Sequence, residues 1–130
     1  MTHSLNDKKV KSDGTLLSFG HNQRVQKQSA ILHGEMSVLE NAGRLPASVY
    51  RDCTMYTTLS PCNMCTGAMI LYGIKRVVVG ENETFMGGEA LLKEHGVEVI
   101  NLNDEECKTL LRRFIEEKPE CWYEDIGEEL

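Results

Sequence analysis

Two short pieces of the chain, His33-Gly34-Glu35 and Pro61-Cys62-Asn63-Met64-Cys65, supply one imidazole, one carboxylate and two thiols. These are the donors of an open zinc site with a general base beside it. Cys62 and Cys65 are three apart, so on a helix both sulfurs lie on one face and can reach one ion. His33 and Glu35 are two apart and would point to nearly opposite sides of a regular helix. They converge only in an opening turn, before the chain is fully helical. The apolar spacing of Ile31, Leu32, Met36 and Leu39 predicts a helix that begins here and ends near Asn41-Ala42-Gly43. Pro61 suits the first turn of a second helix, because it has no amide hydrogen to leave unbonded. Two facing helix N-termini place positive partial charge at one point and favour thiolates over thiols. Three protein ligands leave a fourth position for water, which distinguishes a catalytic from a structural zinc site.

Taken singly, the pieces say little. A His-x-Glu is common, and a lone Cys-x-x-Cys also serves as half a structural zinc site or as a redox pair. Together, H-x-E followed by P-C-x-x-C is the recorded signature of zinc deaminases that act on nucleobases.

The surrounding elements must bring the two pieces together. Residues 1–13 are polar, with Lys8, Lys9, Lys11 and Asp13, and read as a loose arm ahead of a domain spanning 14–130. Asp13-Gly14 is a turn signal, and Thr15 to Gly20 reads as a short strand. After the first metal helix and a turn near Gly43 to Ser48, Cys53 to Leu59 is rich in strand formers and runs into the second motif. The helix from Pro61 stops at Gly73. Ile74 to Val79 is the next strand, its Val77-Val78-Val79 run suggesting burial on both faces. A loop carrying Phe85 and a glycine pair follows. Glu89 to Glu94 then reads as a short helix, Val97 to Leu102 as a strand, and Asp104 to Glu117 as an amphipathic helix capped by Asn103. Pro119 breaks that helix, and Trp122-Tyr123-Glu124-Asp125-Ile126 leads into an acidic tail. Strands alternating with helices imply an α/β sandwich with a largely parallel part, and both motifs fall at carboxyl ends of strands.

The whole chain narrows the ligand. Its 130 residues fit one domain with one core. A net charge of -6 and a pI near 5.2 oppose a broad basic surface, so a nucleic-acid polymer is a poor partner and a small neutral molecule a better one. The polar opening and the absence of a bilayer-length apolar run predict no membrane association and a cytoplasmic protein, with the nucleus as a second compartment. In that setting Cys53, Cys107 and Cys121 are expected to be ordinary free thiols.

At this point the chain resembles the fungal cytosine deaminases of the cytidine-deaminase superfamily. The likeness extends beyond the zinc ligands to Gly20-His21-Asn22, Leu32 to Glu35, Tyr56 to Cys62, Met64 to Ala68, Val79 to Asn82 and Trp122 to Gly127. It implies a three-layer α/β/α fold, a mixed sheet flanked by helices, and a homodimer. By this resemblance His33, Cys62 and Cys65 hold Zn2+ and Glu35 shuttles protons, while hydroxide delivered at the zinc adds to C4 of cytosine. Asn22 and the Gly34 amide take the N1-H and O2 edge, and the Ser60 carbonyl accepts from the amino group. Phe85 stacks on the ring, and Trp122 and Asp125 close the pocket. Core packing is the other common use of Phe85 and Trp122. The product is uracil plus ammonia, a step of pyrimidine salvage.

One feature departs from that family, whose members carry an N-terminal helix and a glycine-rich first strand before the point matching Asp13-Gly14. The expectation is therefore an N-terminally shortened fold, with the strand from Thr15 lacking its neighbour, a sheet edge bare and one pocket wall missing. Two other functions stay open: a purine deaminase acting on guanine or on adenosine in transfer RNA, and a truncated, inactive homologue that binds zinc only.

Overall fold

The computed structural model describes residues 6–129. Five strands make one mixed sheet in the order β2-β1-β3-β4-β5. They are β1 (Asn6–Lys11), β2 (Leu16–His21), β3 (Cys53–Leu59), β4 (Arg76–Glu81) and β5 (Glu98–Asn101). β1 runs antiparallel to both β2 and β3, whereas β3, β4 and β5 are parallel. Parallel neighbours need crossovers, and helices supply them: α4 (Asn63–Tyr72) joins β3 to β4, and α5 (Glu89–Glu94) joins β4 to β5. Between β2 and β3 lie α1 (Arg24–Lys27), α2 (Gly34–Ala42) and α3 (Ala47–Arg51); α6 (Glu105–Glu117) and α7 (Pro119–Asp125) end the chain.

The strand period of two sorts the sheet's faces. Met55, Val77 and Val79 meet Val38 of α2, Met69 of α4 and Leu92 of α5 in the main core. On the opposite face α6 lies against β4, and Leu111, Phe114 and Trp122 form a second, smaller cluster. The three-layer α/β/α arrangement with a mixed sheet is as expected.

The N-terminal expectation needs correcting. Residues 6–11 are not a loose arm but β1, inserted between β2 and β3, so the strand from Thr15 has its neighbour and is itself the outermost strand on that side. Residues 1–5 of the expected arm lie outside the described residues. The reason is backbone pairing: a hairpin turn at Asp13-Gly14, with Gly14 at φ 91, closes on Lys11 N–H to Thr15 O at 2.9 Å, and both edges of β1 then find partners. The pairing prevails over side chains that no strand reading would favour, since Asp7 and Lys9 face inward and Lys8 outward.

Three smaller differences concern helix ends. Asp104, not Asn103, caps α6, accepting from the amides of Glu106 at 2.8 Å and Cys107 at 3.1 Å, while Asn103 takes a left-handed φ of 52. Pro119 both ends α6 and starts α7, which the sequence reading left as tail. The one-turn helices α1 and α3 are too short to show a period, and the turn expected near Gly43 to Ser48 runs into α3.

Candidate metal centre and active site

His33 is the N-cap of α2 and Cys62 the N-cap of α4, with φ/ψ of -59/165 and -67/174, outside the helical region. Neither side chain caps its own helix. Each is therefore free to turn toward the other motif, and the problem of two residues on opposite sides of a helix does not arise. Pro61 sits one residue before the cap rather than in the first turn. Cys65, in the first turn of α4, is fully buried behind Cys62. The crossover β3-α4 carries both cysteines to the carboxyl edge of the sheet, and α2 packs on β1, β2 and β3 to present His33 opposite them.

The donors suit zinc. His33 Nδ1 lies 3.4 Å from Cys62 Sγ and 3.8 Å from Cys65 Sγ, and all three donor atoms are within 4.8 Å of one another. A tetrahedral ion with ordinary Zn–N and Zn–S bonds separates such donors by roughly 3.5 Å for N and S and 3.8 Å for the two sulfurs. Side chains held this way before any ion arrives lower the cost of assembling the site.

The charges agree with that use. A hydrogen bond from the Cys65 thiol, opposed by burial and assisted by His33, brings Cys62 down to about 4. Cys65 moves strongly the other way, through that same bond to Cys62, burial and the nearby Glu35 charge. Without a metal the pair thus keeps one proton on Cys65 and negative charge on Cys62. Burial pulls His33 down, but the hydrogen bond and charge of Cys62, with Glu35 and Asp125, outweigh it and leave His33 raised.

Glu35 stands in the first turn of α2, 8% exposed. Burial raises its pKa, against its own backbone amide and the His33 charge. A neighbour absent from the sequence analysis stands beside it: Asp7 of β1, buried on the same side, hydrogen-bonds Glu35 and is pushed well above the ordinary aspartate value by burial and by the Glu35 charge. The other Asp7 oxygen accepts from the Thr58 amide at 3.1 Å. Asp7 also explains Gly34, where any Cβ would collide with the Asp7 carboxylate. The expected missing wall of the pocket is supplied by Asp7.

A cavity of about 160 Å³ opens in front of these groups. Every residue expected to touch substrate lines it (Asn22, Gly34, Ser60, Phe85, Trp122 and Asp125), along with His33, Glu35 and Cys62; Cys65 stays behind as the inner donor. Asn22 Nδ2 donates to Asp125 Oδ2 at 3.1 Å and Asn22 Oδ1 accepts from the Arg24 amide at 2.9 Å. One amide hydrogen and one lone pair of Asn22 remain for a ligand. Phe85 and Trp122 meet edge to face with ring centroids 6.1 Å apart. The Phe85 loop is held against the metal motif by close backbone approach: Gly87 N–H donates to Ser60 Oγ at 3.0 Å, Gly88 N–H donates to Pro61 O at 2.8 Å, and a Cβ at Gly87 would strike the Pro61 carbonyl. Besides Asp7, the sequence reading missed Arg24, Leu111 and Phe114; the last two signalled only a helix face.

Comparison with known proteins follows the same lines. Residues 9–81 match the cytidine and deoxycytidylate deaminase zinc-binding region. A cytosine deaminase of Candida albicans is 68% identical over 119 residues, 92% of this chain and 79% of that protein. A tRNA-specific adenosine deaminase of Bacillus subtilis is 34% identical over 115 residues, 81% of this chain and 71% of that one. Among solved structures, a guanine deaminase from Nitrosomonas europaea aligns with a TM-score of 0.67 at 23% identity, covering 85% of this chain and 71% of that one, a likeness of fold. The paired helix N-termini, the donor triad they hold and these matches lead to one conclusion: the chain belongs to the zinc-binding cytidine and deoxycytidylate deaminase family.

Proposed function

We propose that the chain removes the exocyclic amine of the free base cytosine by hydrolysis, giving uracil and ammonia. The observation that carries this reading is a cavity of about 160 Å³ with His33, Cys62 and Glu35 on one wall and Asn22 and Asp125 on another. A dry cavity of roughly 150 Å³ takes one benzene ring, so the space matches a monocyclic base better than a fused purine or a nucleoside. The 68% identity to the Candida albicans cytosine deaminase supports the same substrate. The net charge of -6 disfavours the transfer-RNA alternative, whose substrate carries a polyanionic backbone.

His33, Cys62 and Cys65 would hold the zinc, which would supply a Lewis acid that acidifies a water. Glu35 takes the proton of that water and passes it to ring N3, which makes C4 electrophilic. The hydroxide left from that water adds to C4, and in a second transfer Glu35 carries the proton of the new C4 hydroxyl to the exocyclic nitrogen, so that the C4–N bond breaks, ammonia leaves and the C4 carbonyl of uracil forms. The remaining hydrogen and lone pair of Asn22 read O2 and N1-H. The Gly34 amide, in the first turn of α2 where no intrahelical acceptor exists, adds a donor to O2. The Ser60 hydroxyl is engaged by Gly87, so Ser60 serves the amino group through its carbonyl. Asp125 backs Asn22, Phe85 stacks on the ring, and Trp122 with Asp125 closes the pocket from the C-terminal side. The proposal includes a homodimer, a place in pyrimidine salvage and a cytoplasmic or nuclear location.

One observation favours a second reading, a zinc-binding homologue with little turnover: the burial of Glu35, which raises its pKa and so opposes ionisation of the base that the reaction needs. Ammonia release from cytosine, cytidine, guanine and adenosine separates the possibilities. Release from cytosine alone is expected. Release from cytidine but not cytosine would overturn the choice of substrate, and zinc-loaded protein silent on all four would favour the second reading.

A further inference from the structure

Helix α7 forms one wall of the cavity, and it is held there by the smaller apolar cluster and by polar contacts rather than by the main core. It has seven residues, too few for independent helical stability. Its buried residue, Trp122, belongs to the smaller apolar cluster and not to the main core. It is separated from α6 by Lys118, whose φ/ψ of -137/58 breaks the helical path. Against this, both ion pairs that reach α7 among the described residues start from one side chain, Arg24. Its Nη1 lies 2.7 Å from Asp125 Oδ1, and its Nη2 lies 3.5 Å from Glu124 Oε1.

The two contacts differ in weight. Glu124 is 69% exposed and its pairing is largely screened, whereas the side chains of Arg24 and Asp125 are 13% and 16% exposed and form a short, half-dry contact. Arg24 is itself fixed at two more points. Its backbone amide donates to Asn22 Oδ1 at 2.9 Å, and its Nε donates to the Ala30 carbonyl at 3.3 Å. One residue thus holds Asn22 through its main chain and Asp125 through its guanidinium, and those two, 103 positions apart, meet at 3.1 Å inside the cavity.

We propose that Arg24 is a positioning residue for the pocket: its guanidinium docks α7 onto the loop carrying Asn22, and the C-terminal wall is in place only while that ion pair is made. The kinetic consequence rests on the cytosine reading above; the structural one does not. Removing Arg24 leaves Asp125 half-buried without its cation, a state that is relieved when α7 swings out into water. The base would then bind to a pocket whose closed form is only fractionally populated, which raises the apparent KM and leaves the metal and Glu35 as they were.

The chain's single tryptophan is Trp122 itself, so its fluorescence reports the position of α7 whether or not any substrate is turned over. Zinc-loaded full-length chain is compared with Arg24→Met, and with Arg24→Gln should the first variant not fold. Expected are about twofold or greater acrylamide quenching of Trp122, a red-shifted emission, unchanged zinc per chain, and a KM for cytosine raised about tenfold with kcat within about threefold. Arg24→Lys, which keeps the charge but not the fork, should fall between the variant and the native chain. Trp122 quenching and KM that both stay at native values in a folded variant would overturn the proposal. So would a lowered melting temperature with neither of them changed. Absence of cytosine turnover in the native chain would defeat the substrate reading alone, and the Trp122 quenching would still decide whether Arg24 docks α7.

Discussion

The two cysteines of the metal motif are chemically unequal before any ion binds. Cys62, held at about 4 by the Cys65 hydrogen bond and by His33, is a thiolate at neutral pH, while Cys65 keeps its proton. In zinc-free protein at about pH 6, iodoacetamide is expected to label Cys62 ahead of Cys53, Cys65 and Cys107, and zinc should abolish the labelling. Peptide mapping by mass spectrometry checks this, and equal labelling of all four would contradict it. Asp7 gives a second prediction at this scale. Burial and then Glu35 hold its folded pKa well above the 3.8 of a free aspartate. Between that ordinary value and the folded one, the native state keeps a proton that the unfolded chain has lost, so stability falls as pH rises through the window. Asp7→Asn removes this contribution and leaves the smaller one of Glu35, whose pKa is also raised. Thermal melts of the zinc-loaded chain between about pH 4 and pH 8 should show the variant gaining most at the alkaline end. A gain independent of pH would sink the idea.

At the level of elements, β1 is where sequence and structure part. Its inward positions are Asp7 and Lys9 and its outward Lys8 is charged too, so no hydropathy period marks it as a strand. It is held by ladders on both edges, an effect invisible to a single-strand pattern. Lys9 shows the penalty: it is fully buried, its Nζ has no hydrogen-bond partner among the described residues, and the Tyr50 ring faces the charge 3.8 Å away. Burial lowers its pKa accordingly. Lys9→Met keeps the stem and deletes the cation, and a melting temperature about 3–8 °C higher is expected at neutral pH. A lower one would mean that the contact with Tyr50 outweighs desolvation. The other elements were legible for opposite reasons. β3 matches Cys53 to Leu59 because strand formers are bounded by the metal motif, and α4 stops at Gly73 because that residue takes a φ of 70. α7 was not legible: seven residues behind a proline carry too little pattern, although Trp122 and Asp125 were singled out as pocket residues by resemblance.

For the molecule as a whole, the chemistry was easier to read than the architecture around it. Five residues at fixed spacing (His33, Glu35, Pro61, Cys62 and Cys65) identify donors and base, because few other uses need that combination. Three long-range features were hidden: the β1 insertion that sets Asp7 against Glu35, the Arg24 bridge to Asp125, and the second apolar cluster that seats Trp122. The first two join residues far apart in the chain, Asp7 with Glu35 and Arg24 with Asp125, which one sequence does not pair. The base and the metal are separable by design of the site, since His33 and the two sulfurs complete the donor set without Glu35. Zinc content and the cytosine-to-uracil absorbance change, measured on the same sample of native chain and of Glu35→Gln, test this most directly. One zinc per chain in both is expected, with turnover in the native protein and a loss of about 10²–10⁴-fold in the variant. Native-like turnover by Glu35→Gln, or a native chain that turns over cytosine without zinc, would contradict it.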